Sequence, residues 1–144
     1  MSLSQAQIDR LVACFLAVEL RLDELEDVFY TILFERAPQF RQFFPDDLTS
    51  QKHHMGEAIK LLAMNVANLD DLAGMLREMG TRHIGYNTKI TDYPIVCDAM
   101  VGAFEHIAGD LWAEQLKEDW SAVFEIVSTY MIEGQTYLDH LSDD

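Results

Sequence analysis

Apolar residues in this chain recur at spacings of three and four, with no alternating run of useful length. Ile8, Leu11, Val12, Phe15 and Val18 mark one such face, which predicts a helix starting after Ser4, a good N-cap residue. Leu25, Val28, Phe29, Ile32 and Leu33 mark the inner side of a second helix over "LDELEDVFYTILFERA", which Pro38 ends or redirects. "FRQFFPDD" makes a corner where Phe43 and Phe44 must find cover before Pro45 breaks the chain. A third helix is predicted from Thr49 or Ser50 to about Ala67, its apolar face carried by Met55, Ala58, Ile59, Leu62 and Val66. "NLDD" turns into a fourth, with Leu72, Met75, Leu76 and Met79 on its stripe. The loop "IGYNTKITD" then leads to a fifth that begins near Tyr93 and Pro94, where proline suits the first turn. A last helix is expected from about Leu111 to Leu141, with Trp112, Leu116, Trp120, Val123, Phe124, Val127 and Met131 facing inward. The fold class is therefore all-α.

Composition narrows the setting. At 144 residues, 49% of them hydrophobic, the chain suits one compact domain, residues 1–144, with a substantial core. No apolar run approaches the roughly 20 residues of a membrane span, and no basic segment leads into an apolar signal core. These features suggest a soluble, cytoplasmic protein. The balance of 10 Lys and Arg against 25 Asp and Glu, a formal charge of −15, argues against nucleic acid or an anionic membrane as partner. Cys14 and Cys97 lie far apart, which fits two free thiols better than a thiolate metal site. Paired carboxylates such as Glu24 and Glu26, or Asp46 and Asp47, are expected on solvated faces.

The chemistry lies with the polar residues that interrupt apolar faces. His83 follows Met79 by four residues and Leu76 by seven, on the stripe itself. It is either a core histidine bonded to backbone carbonyls or a metal ligand. Gln51 precedes Met55 by four and Ala58 by seven, again on the apolar face, where an amide costs free energy unless something bonds to it. A place close to solvent at the helix N-terminus is the other reading of Gln51. His54 falls at the edge of that face and His53 points away, while His106 and His140 suit solvated or capping roles. Tyr30 sits among Phe29, Leu33 and Phe34, so its hydroxyl also needs a partner. Tyr30, Gln51 and His83 thus project from three different apolar faces, and one polar, metal-centred ligand would satisfy all three. There is no HExxH, glycine-rich phosphate loop, CxxC or GxSxG to compete.

The succession "VFYTILFERAPQFRQFF", "LTSQKHH", "MGTRHIGY", "DYPIV" and a closing helix with Trp120 resembles the bacterial single-domain globins and the globin part of flavohaemoglobins over nearly the whole chain. That resemblance implies a globin fold with haem b (iron protoporphyrin IX) held between the distal helix, Thr49 to Ala67, and the helix ending in His83. On it, His83 matches the proximal ligand of the iron and Phe44 the phenylalanine that stacks on the haem. Tyr30 and Gln51 match the distal pair that reaches toward dioxygen, and Met55 the apolar position above the iron. His54 either bonds a haem propionate or serves as an internal sixth ligand.

Tyr93 matches a tyrosine that, with a glutamate, bonds the proximal histidine in flavohaemoglobins. The glutamate position falls on Gln135, with Glu133 two residues off, and an amide cannot supply the same charge. The chain carries no FAD or NAD domain, so sustained redox turnover would need an external reductase. The function implied is reversible binding of dioxygen, nitric oxide or carbon monoxide, without a dedicated catalytic residue. Nitric oxide dioxygenation and six-coordinate redox or sensory behaviour are the alternatives, and oligomeric state stays open.

Overall fold

The computed structural model describes residues 3–83 and 88–142, the side chains of 137–142 excepted. Ile84, Gly85, Tyr86 and Asn87 of the predicted loop, and the His140 side chain, lie outside the described residues. Among the described residues six α-helices follow one another: α1 Gln5–Val18, α2 Leu22–Arg36, α3 Thr49–Met64, α4 Ala73–His83, α5 Tyr93–Ala108 and α6 Glu114–Ser142. Among the described residues there is no strand.

Local chemistry sets the helix ends. Ser4 Oγ accepts the Gln7 N–H at 3.2 Å while the Gln7 side chain accepts the Ser4 N–H at 2.9 Å, a reciprocal cap that starts α1. Ala37, before Pro38, leaves the helical region at φ −138°, ψ 71°, and α2 stops there. Asp47 accepts both the backbone N–H and the hydroxyl of Thr49, at 3.0 and 2.6 Å. These bonds start α3 and hold the Asp47 carboxyl below its usual range.

The chain departs from the hydrophobic pattern at four places. α3 ends at Met64 rather than near Ala67, because the Asn65 amide donates to the Leu61 carbonyl at 2.8 Å and competes with the helix ladder. A 3-10 stretch, Val66–Leu72, broken at Asn68, fills the gap to α4. Trp112 precedes α6 instead of lying in it, since Gly109 takes φ 56° and ends α5 in a left-handed turn. Val12 is 41% exposed, because the adjacent Leu11, about 100° around the helix, takes the core position. Phe43 is likewise exposed and finds partial cover against the Phe40 ring, 6.3 Å away.

α2 packs between α3 and α5, α1 lies on α5 and α6, and α4 runs against α6. Trp120, 1% exposed, stacks on Phe104 with ring centroids 4.1 Å apart, and Leu11, Leu25, Phe29, Leu33 and Leu76 complete the dry centre. At the α4–α6 crossing the two backbones meet directly. A Cβ on Gly80 would overlap the Met131 carbonyl, and one on Gly134 would overlap the Arg77 carbonyl. Thr81 Oγ1 donates across this crossing to the Gly134 carbonyl at 2.9 Å.

Candidate functional site

His83 closes α4, so the glycine crossing that seats α4 on α6 also sets the position of its imidazole. His83 Nδ1 lies 2.6 Å from the Met79 carbonyl oxygen. A carbonyl can only accept, so Nδ1 carries the proton and the lone pair sits on Nε2. Burial holds the imidazole below its ordinary value, against the bond to Met79, and so favours the neutral ring. Leu76, about two turns earlier, is fully buried, and Met75 and Met79 pack half-buried against the core.

The segment after His83 is tied to α5 and α6 through a chain of hydrogen bonds. Thr88 N–H donates to the His83 carbonyl at 3.3 Å, and Gln135 Nε2 donates to the Thr88 carbonyl at 2.8 Å. Gln135 Oε1 in turn accepts the Tyr93 hydroxyl at 2.9 Å. Tyr93 and Gln135 are both buried, and each half of the amide has a partner. Glu133 faces outward instead, where it pairs with Arg77.

On α2, Tyr30 is 5% exposed and ringed by aromatics: Phe29 edge-on at 4.9 Å, Phe34 tilted at 5.9 Å and Phe44 edge-on at 5.7 Å. Burial, with a smaller contribution from Glu26, pushes its phenol up to about 12, so the hydroxyl keeps its proton and remains a donor. Phe44 also packs edge-on to Phe34 at 5.5 Å. Arg41 fixes this corner by donating to the carbonyls of Phe44, Pro45 and Asp46 while its guanidinium lies over the Phe34 ring.

On α3, Gln51 is half-buried, and its Oε1 is fully buried with no hydrogen-bond partner among the described residues. Its place at the helix N-terminus therefore does not leave this oxygen in solvent. Met55, one turn on, is half-buried against the core. His53 and His54 are exposed, their rings 6.3 Å apart, and His106 is exposed at the end of α5. Among the described residues no three His, Cys, Asp or Glu cluster to hold a metal.

Glu26 corrects the expectation of a solvated face. The residue is buried, with its carboxyl packed against Gly56 of α3, where a Cβ would overlap Oε1. A glutamate fits between these helices because residue 56 has no side chain, a relation between residues far apart in sequence that no local pattern encodes. The Gly80 and Gly134 contacts escaped the pattern for the same reason. The Met79 carbonyl was within reach of sequence reasoning, since a residue four before a helical histidine supplies its nearest backbone acceptor.

The globin family profile matches residues 27–131, from α2 through His83 to Met131 of α6. The chain belongs to the globin family. A flavohemoprotein of Oceanobacillus iheyensis is 22% identical over 107 residues, 72% of this chain and 26% of that protein. The chain thus spans about a quarter of the length of such relatives. Among solved structures, a bacterial globin from Campylobacter jejuni matches with TM-score 0.83 at 20% identity, covering 95% of this chain and 99% of that one. An engineered carbene transferase, whose Rhodothermus marinus parent is named for nitric oxide dioxygenation, matches with TM-score 0.87 at 20% identity over 99% and 100%. The fold is the globin fold.

Membership implies a haem cofactor, and the residues fit one. A neutral imidazole with its proton fixed on Nδ1 is a proper iron ligand through Nε2. A buried amide oxygen without a partner marks an interior place for a polar group. No helix among the described residues is long and apolar enough to cross a membrane.

Proposed function

We propose that this globin holds haem b through His83 and binds a diatomic gas, dioxygen first among them, reversibly on the side of Tyr30 and Gln51. A haem held by His83 would supply an iron able to take a small gas as a further ligand. Everything else is the work of the chain. The Met79 carbonyl orients His83, Phe44 and Met55 give the pocket apolar walls, and Tyr30 offers a hydroxyl proton that it does not release at physiological pH. Gln51 turns to present its amide hydrogens in the same space, a change of rotamer that needs little energy for a side chain whose oxygen has no bond to lose.

The observation that carries the reading is Gln51 itself. A fold does not keep a buried amide oxygen without a partner for stability, since such a group costs about 1–3 kcal/mol. With no bond to hold that oxygen in place, the amide is free to turn end for end and offer its hydrogens to a ligand that only accepts. The exposed His54 supports an open gas position over internal closure by a histidine of α3.

The buried Tyr93–Gln135 pair separates binding from redox chemistry. Both groups are neutral and bonded to one another and, through Gln135, to Thr88, so the position that resembles the flavohaemoglobin glutamate carries an amide and not a carboxylate. Reversible binding is favoured over oxygen activation. Nitric oxide dioxygenation is the second reading, favoured by the names of the flavohemoprotein and Rhodothermus relatives. It joins dioxygen and nitric oxide to nitrate with one electron, which a reductase must supply.

The test is repeated exposure of the reduced, haem-loaded protein to dioxygen and argon. Reversible binding predicts that the visible spectrum alternates between two states over several cycles. Conversion to the ferric state in the first cycle, or no response to dioxygen, would contradict it. Rapid multiple turnover of nitric oxide with a reductase would move the assignment to the dioxygenase.

A further inference from the structure

Glu26 is the one carboxylate of α2 drawn into the helix interface, and the gas site described above does not use it. Its carboxyl sits on Gly56, the residue after Met55, and a Cβ at 56 would displace it. Among the described residues it has neither an ion pair nor a hydrogen-bond partner; Lys52, the nearby cation of α3, is committed to Asp27 at 2.9 Å. It precedes Tyr30 by four residues, so the two side chains share one face of α2 a single turn apart.

The geometry points to Glu26 as a positioning residue of the gas site: a carboxyl drawn between α2 and α3, seated on Gly56, whose charge sets how strongly the Tyr30 hydroxyl donates to a polar gas ligand. The inference rests on the gas-binding reading and adds a regulator to it. When the carboxyl is ionised, its negative charge one turn away draws the Tyr30 proton back toward its own oxygen and opposes negative charge gathering on whatever Tyr30 bonds. When the carboxyl is neutral, that opposition disappears and the hydroxyl donates more strongly. Acidification therefore tightens the hold on a polar ligand, and alkalinity loosens it.

The surroundings bring this change into a useful range. Burial raises the Glu26 carboxyl above its ordinary value, and Asp23 and Asp27 of α2 and Glu57 of α3 push the same way, opposed by His53. α5 and the Pro38–Phe43 turn also pack on α2, but among the described residues they bring no charge that moves Glu26. The influence on Tyr30 is visible in the opposite direction, since Glu26 is the charge that adds to burial in raising the phenol.

Glu26→Gln keeps the shape and removes the charge; Glu26→Asp keeps the charge and withdraws it from Gly56. The first readout needs neither haem nor gas. The Tyr30 ring resonance, followed by NMR from acid to neutral pH, should move with the Glu26 titration in the native protein, move less in Glu26→Asp and stay still in Glu26→Gln. The second uses carbon monoxide on the reduced, haem-loaded protein: the C–O stretching band should shift with pH in the native protein and hold its acid position at every pH in Glu26→Gln. A Tyr30 resonance that moves alike in native and Glu26→Gln protein overturns the inference, and so does a C–O band with one pH profile in both. A chain that takes up neither haem nor carbon monoxide overturns the gas-binding reading instead, and the NMR arm distinguishes that failure from the first.

Discussion

Gly80 of α4 lies so close to the carbonyl of Met131 in α6 that a single methyl group has no room between them. Gly134 repeats the relation against the Arg77 carbonyl one turn along, so two glycines, one from each helix, let the backbones touch. His83 follows Gly80 by three residues and inherits its position from this contact.

Gly80→Ala should therefore cost more than a helix propensity gain returns. Overpacking against backbone, which cannot swing aside as a side chain does, is worth about 1–3 kcal/mol or more. Urea denaturation should show the loss, and haem retention should weaken with it because the His83 end of α4 is displaced. Gly74, in the same helix, has nothing within 4 Å of the place a methyl group would take, so Gly74→Ala is the matched control and should be neutral or slightly stabilising.

Tyr93→Phe leaves Gln135 Oε1 buried without its donor. The expected destabilisation is about 1–3 kcal/mol, the cost of an unsatisfied buried acceptor. Gln135→Glu should also destabilise, since a carboxylate cannot donate to the Thr88 carbonyl as the amide does. Equilibrium unfolding of both variants checks the pair.

Gln51→Leu should move stability and function in opposite directions. Removing a buried amide oxygen that has no partner is expected to stabilise the haem-free protein by about 1 kcal/mol. The same change removes a donor from the gas site, so dioxygen should leave faster from the loaded protein. Thermal unfolding and stopped-flow release measure the two effects, and a variant that loses stability would contradict the account of Gln51.

The acid side offers a test of Glu26 through stability. Its folded-state value is raised, so its contribution is fully present below the ordinary glutamate value and is lost as pH rises through the raised one. Native protein should lose stability relative to Glu26→Gln as pH rises above the ordinary glutamate value, the variant becoming the more stable of the two once the carboxyl is ionised. Parallel pH profiles in urea would show that the carboxyl has an ordinary environment.

Helix periodicity conveyed most of the fold because each apolar face is a local pattern: Leu25, Phe29 and Leu33 are buried where the spacing places them. The boundaries that moved were set by single side-chain or backbone events, the Asn65 amide on the Leu61 carbonyl and the left-handed Gly109. The family resemblance, and not the spacing, assigned Gln135 and Tyr93 to neighbouring positions, and the two side chains are hydrogen-bonded. What stayed hidden was tertiary. The buried Glu26 looks like any surface glutamate of an acidic helix until Gly56 arrives opposite it, and neither glycine at the α4–α6 crossing announces its partner.

His83→Ala should retain native helical circular dichroism and lose haem, since its ring lies at the end of α4 and the dry centre of the fold is made by other residues. Loss of helix in step with haem would mean that the imidazole is a structural core group.

The most direct measurement is the visible spectrum of the reduced, haem-loaded native protein without oxygen. A single broad band, the mark of five-coordinate iron held by His83 with the Tyr30 side open, is the expected result. A sharp split pair would contradict the account, because an internal ligand would then occupy the position assigned to the gas.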